Sequence, residues 1–165
     1  MSRTPLPVED YASRISAYVY GNVLVLTALL PLNGSVGLTH AGLVVIGTSL
    51  STFVAHAFAE SVGRSARSGR QLTTAERIAE LRDSVPVLTS GFVPALVVGM
   101  GGFGWIELDS ALILAEIWVV TRIASITYVI TRLRGERPNG QTLIGSLVLG
   151  AVAVAVVAIK LILTH

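Results

Sequence analysis

Five runs of continuous apolar sequence, at about 15–32, 42–63, 87–106, 110–131 and 142–163, take up most of the 165 residues and leave only short segments between them. An α-helix rises about 1.5 Å per residue and the hydrocarbon core of a bilayer is about 30 Å thick, so about 20 apolar residues suffice to cross it. Each run has that length, and none alternates apolar and polar residues as a barrel strand does. The expected fold class is therefore all-α membrane: a five-helix transmembrane bundle, a single domain over 1–165. Composition agrees, with 52% hydrophobic and 13% charged residues, against about 25% charged in an ordinary soluble domain. The chain has no cysteine, which excludes disulfides, thiolate metal sites and cysteine nucleophiles. The first run exceeds the apolar core of a secretory signal and ends without a small-x-small cleavage site, so it is read as a retained helix.

Orientation follows from the arginines. Eleven of the twelve basic residues are arginine. Arg3 and Arg14 precede run one; Arg64, Arg67, Arg70, Arg77 and Arg82 lie between runs two and three; Arg132, Arg134 and Arg137 follow run four. The intervening segments at 33–41 and 107–109 carry no lysine or arginine, and the second holds Glu107 and Asp109. Short cytoplasmic loops retain Lys and Arg, so the N-terminus is expected inside and the C-terminus outside a cell membrane crossed several times. Trp105 and Tyr11, at run ends, suit the interfacial aromatic belt. Lys160, near the end of run five, is expected to snorkel to the interface.

Between runs two and three, RSARSGRQ leads into TTAERIAELRDS. Thr73 or Thr74 can cap a helix over about 74–85, with Glu76 early and Arg82 late as the helix dipole favours. Ile78, Leu81 and Val85 recur at three- and four-residue spacing and give that helix one apolar face. It either lies along the membrane surface or a partner helix, or is a connector continuous with a neighbouring span.

Run two carries Gly47, Ser51, Ala55, Ala59 and Gly63 at intervals of four, a face of small side chains that permits close helix approach in lipid. It is read as a packing face, within the bundle or in a homo-oligomer, and secondarily as a substrate path. His56 and Glu60, also four apart, lie one turn from each other. Ionisable groups inside a span are costly, and histidine is the side chain suited to proton exchange near neutral pH. The pair is read either as a proton-exchanging site or as a structural hydrogen bond. Two ligands are too few for a defined metal site, and no metal or other cofactor is expected.

Run four contributes Arg122, whose partner must come from another helix because Glu116, six residues away, faces elsewhere. Run one contributes Tyr18 and Asn22 on one face. At similar depths, Tyr18, Asn22, His56, Glu60 and Arg122 are expected to form a polar cluster open toward the cytoplasm. Run three opens with Pro86, contains Pro94 and ends in GMGGFG at 99–104, which implies either a broken helix or very close packing. These glycines lack phosphate-loop spacing, Asn33-Gly34-Ser35 reads as a turn, and no hydrolase or zincin motif is present. No enzyme activity and no nucleic-acid partner are expected.

VYGNVLVLTALL in run one and FVAHAFAESVGR in run two resemble small, uncharacterised bacterial multi-spanning integral membrane proteins with YG in span one and AHxxAE in span two. The layout of five spans with a cytoplasmic helix after the second also resembles the vacuolar iron transporter family. That likeness implies metal/proton exchange through polar residues of spans one and two and a glutamate-rich cytoplasmic domain. The chain departs from it, having only Glu76, Glu80 and Asp83 in that region and no span-one aspartate of the family type. The expectation is a small transporter or channel component coupled to protons or a small ion, embedded in lipid and homo-oligomeric or joined to a membrane-protein partner. The alternative is a non-transporting scaffold or accessory subunit assembling through the small face of run two.

Overall fold

A computed structural model of the chain describes residues 8–126, 128 and 140–164. Arg3, Arg132, Arg134 and Arg137, which the orientation argument uses, lie outside the described residues. The protein is all-helical, with no strand among the described residues. Among the described residues five α-helices have defined bounds, in order α1 Val8–Leu29, α2 Leu38–Ser68, α3 Thr74–Gly102, α4 Leu108–Ala124 and α5 Gly140–Thr164, with a short 3-10 turn at Gly34–Val36. Two of them, α2 and α3, are long and apolar enough to cross a membrane.

Helices α1 and α3 form the central pair, α2 and α4 pack against it, and α5 lies on α4. One end of the bundle is mainly apolar inside, with Glu116 buried on the same face of α4: Val25 and Leu29 of α1, Val45 of α2, Val98 of α3, and Leu112 and Val119 of α4 enclose one another. At that end the Gly34 N–H donates to Asp109 Oδ1 at 2.6 Å, tying the α1–α2 connection to the first turn of α4. The opposite end, where α1 begins, α2 ends and α3 begins, is polar inside. α2 stops at Gly69, whose φ of 64° no β-carbon favours.

No break separates residues 74–85 from the third apolar run, because α3 is one helix of 29 residues. Thr73 accepts from the Glu76 N–H while the Glu76 carboxylate accepts from the Thr73 N–H, a capping box that fixes the start. Pro86 and Pro94 both lie within the helix, where they remove the N–H groups that would serve the carbonyls of Arg82 and Ser90 and crowd those carbonyls with their rings. Run four is expected to extend to 131; α4 ends at Ala124, Ile126 and Tyr128 beyond it are again helical, and residues 127 and 129–131 lie outside the described residues. The Ser125 N–H reaches back to Thr121 and its hydroxyl donates to the Arg122 carbonyl at 3.0 Å, closing the last turn.

The distribution of side chains is inverted relative to a soluble domain, in which charged residues are almost never fully buried unless paired. Glu80, Asp83 and Glu116 are buried to 1% exposure or less, whereas Leu43, Ile46, Leu50, Val54 and Phe58 of α2 are 54–70% exposed. Ile78, Leu81 and Val85 likewise point outward, while Glu80, Asp83 and Ser84 of the same helix point in.

Candidate functional site

The inward face of α3 explains the polar end. Glu80, Asp83, Ser84 and Val87 follow the i, i+3, i+4, i+7 spacing that puts them in one stripe, and that stripe meets α1 and α2. Arg14 of α1 binds Asp83, with Nε and Nη2 both 2.7 Å from Oδ1. Arg64 of α2 forms an ion pair with Glu80 through Nε. In both pairs the carboxylate is enclosed, at 2% and 1% exposure, and the guanidinium is partly open, at 32% and 27%. Each arginine thus sets a positive charge against a buried anion while keeping part of its own charge in a more polar environment.

His56 belongs to this group. Its Nδ1 lies 3.1 Å from Ser84 Oγ, and the Ser84 hydroxyl donates to the Glu80 carbonyl at 2.9 Å. A hydroxyl has one proton, so when Ser84 donates to the Glu80 carbonyl it accepts from His56 Nδ1–H, the tautomer in which Nε2 is the free acceptor. The ring of Tyr20 stands against His56 with centroids 6.2 Å apart. Glu60, half-buried, has no hydrogen bond or ion pair among the described residues, so the expected His56–Glu60 contact is absent. The inward turn of α2 delivers His56 to α3, and Glu60, four residues on, falls outside that contact because α3 offers Ser84 instead.

The expected five-residue cluster is divided. Arg122 donates from Nε to the Tyr18 hydroxyl at 3.1 Å and from Nη1 to the Thr89 carbonyl at 2.9 Å, with its guanidinium carbon 4.6 Å from the Tyr18 ring centroid. Its partners are thus a phenol, a π face and a backbone carbonyl, contributed by α1 and α3 as the sequence required of another helix. Asn22 donates from Nδ2 to the Tyr18 carbonyl at 2.7 Å, and its Oδ1 is enclosed without a donor among the described residues. Tyr18, Asn22 and Arg122 therefore form a group on the α4 side, and His56 a separate one on the α2 side. Glu116 is wholly buried on the inner face of α4.

The small face of α2 is turned away from the bundle: Gly47, Ser51, Ala55 and Ala59 are exposed and Gly63 is half-exposed. An open groove of about 530 Å³ runs along it between Leu50, Val54 and Phe58. Close helix approach inside the bundle occurs elsewhere. A β-carbon at Gly21 would stand 2.8 Å from the Val87 α-carbon, and one at Gly91 would run into the Ser49 side chain.

No protein-family model, curated protein or solved structure matches this chain. The functional reading therefore rests on its own residues. Arg14, Arg64, Glu80, Asp83 and Ser84 were not singled out as site residues from sequence. The two arginines read as loop charges, and the apolar periodicity of Ile78, Leu81 and Val85 drew attention to the outward face of α3. Polar residues at 80, 83 and 84, recurring at helical spacing opposite that face, were the available signal.

At the mouth of this end, outside the apolar runs, Arg70 clasps Glu76 through Nη1 and Nη2, at 3.0 and 2.6 Å. The Arg70 hydrogen bond, followed by those from the Thr73 backbone and hydroxyl, holds the Glu76 carboxyl down at about 2.

Proposed function

We propose that the chain is a multi-pass protein of the cell membrane that crosses five times, N-terminus inside and C-terminus outside, and acts as a small proton- or ion-coupled transporter or channel component. The observation that carries this reading is the joint burial of His56, Glu80 and Asp83 within a bundle whose outer surface is apolar. Ionisable groups in such interiors are costly and mark ion or proton paths. Length supports crossings by α1 and α5 beside α2 and α3: α1 has 22 residues and α5 has 25, about 33 and 38 Å at the helical rise, whereas the 17 residues of α4 give about 26 Å.

In this reading His56 exchanges protons at Nε2 while Ser84 holds its ring. Glu80 and Asp83 clamp α2 and α1 through Arg64 and Arg14. Protonation of either carboxylate removes the charge that its arginine binds and loosens one helix from α3.

A second reading, a scaffold or accessory subunit, is favoured by the outward small face of α2, which suits a second copy or another membrane helix. Ala55→Leu with Ala59→Leu disrupts assembly under both readings. His56→Ala abolishes ion movement only under the first. Placement is tested with single cysteines in the cysteine-free chain. Under the proposed topology an impermeant thiol reagent labels Ser35→Cys from outside intact cells and labels Ser68→Cys only after permeabilisation; the reverse pattern would reject the orientation.

A further inference from the structure

A groove of about 770 Å³ opens between the end of α2 and the start of α3. Its walls are apolar, formed by Val54, Phe58, Val62 and Leu81, and Arg70 and Arg77 stand in its lining at the loop end. Val54, Phe58 and Val62 are 58, 70 and 50% exposed, and they continue the outward apolar face of Leu43, Ile46 and Leu50. One end of any occupant must therefore be as apolar as the surroundings of that face. At the other end Arg70 is neutralised by Glu76, whereas the Arg77 side chain has no hydrogen bond or ion pair among the described residues. Residues 64–82 carry five arginines against two glutamates, Glu76 and Glu80, and both glutamates are engaged by arginine. The charge left over is positive and lies where the apolar wall ends.

We propose that this groove binds an anionic phospholipid, its phosphate at Arg77 beside the Arg70–Glu76 pair and an acyl chain along Val62, Phe58 and Val54. A soluble anion satisfies the arginine but leaves the wall bare, and an apolar helix satisfies the wall but leaves Arg77 without an anion. Only an amphipathic anion fills both. Basic pockets between membrane helices on the cytoplasmic side bind anionic headgroups in this way. The inference rests on the membrane placement proposed above.

The test is native mass spectrometry of the full chain, extracted from vesicles into neutral detergent with equal phosphatidylglycerol and phosphatidylcholine. The wild type is expected to retain phosphatidylglycerol over phosphatidylcholine by about fivefold, the increment of one arginine at a membrane surface. Arg77→Gln should bring the ratio near one, and Val62→Gln should lower retention of phosphatidylglycerol. Arg82→Gln, exposed at the same end but outside the groove, should leave the ratio unchanged. Excess inorganic phosphate should not displace the lipid; displacement would mean that the site reads phosphate alone and would overturn the proposal. Equal retention of the two lipids by the wild type, or unchanged preference in Arg77→Gln, overturns it as well. Alkaline carbonate extraction of the vesicles separates the two levels. Release of the chain rejects the membrane placement, whereas a chain that stays in the vesicles and shows no lipid preference rejects only the lipid site.

Discussion

Arg14 and Asp83 are 69 positions apart in sequence, yet they join the first turns of α1 to the buried face of α3 at 2.7 Å. The pair is asymmetric, since the arginine side chain is 32% exposed and the carboxylate 2%. Which member is removed therefore decides the cost. Arg14→Ala strands a buried anion, a loss of about 3–5 kcal/mol for such pairs. Asp83→Asn leaves a guanidinium that can turn outward, and costs less. Thermal unfolding in detergent should rank wild type above Asp83→Asn and Asp83→Asn above Arg14→Ala. The double variant should recover part of the Arg14→Ala loss. If Arg14→Ala is as stable as Asp83→Asn, the enclosed-anion account is wrong.

Glycine tolerance separates the two candidate packing faces. Alanine at Gly21 brings its β-carbon within 2.8 Å of the Val87 backbone, whereas alanine at Gly47 meets nothing within 4 Å. Gly21→Ala is expected to lower stability by about 1–3 kcal/mol as α1 and α3 are forced apart, and Gly47→Ala to leave the monomer unchanged. Equal melting temperatures for the two variants would contradict the packing described for α1 and α3.

The start of α3 should respond to acid through Glu76. Its carboxyl is lowered to about 2 in the folded chain, against about 4.3 for a free glutamate. The stabilisation it gives is present above about 4.3 and fades as pH falls toward about 2. Hydrogen exchange of the first-turn amides, corrected for intrinsic rates, should show protection lost over that interval in the wild type. Glu76→Gln should lack that transition. An identical acid transition in both would assign it to another group.

Helix content was legible in the sequence because each apolar run is long and continuous, and the end that gathers Arg14, Arg64 and the start of α3 was legible from arginine placement. The start of α3 was legible as well, since Thr73, one of the two expected caps, is the residue that caps it, and Glu76 lies in its first turn. The join between residues 74–85 and the third run was left open, because Pro86 suggests a boundary that capping and helix-forming residues on both sides override. The site was legible in pieces. Tyr18 and Arg122 do meet, since a mid-span arginine needs a partner on another helix. His56 and Glu60 do not, because their spacing along α2 carries no information about Ser84 on α3. The buried carboxylates were not singled out because Glu80 and Asp83 sit in a charged inter-run segment; α3 turns Ile78, Leu81 and Val85 outward and Glu80 and Asp83 inward.

The central claim is that the polar interior moves ions, and ion flux through the full chain in sealed vesicles tests it most directly. Vesicles carrying the wild type should dissipate an imposed proton or monovalent-cation gradient faster than protein-free vesicles. His56→Ala, incorporated to the same level with its melting transition retained, should fall to the protein-free rate. Wild-type vesicles no faster than empty ones, or a folded His56→Ala as fast as the wild type, would contradict the account.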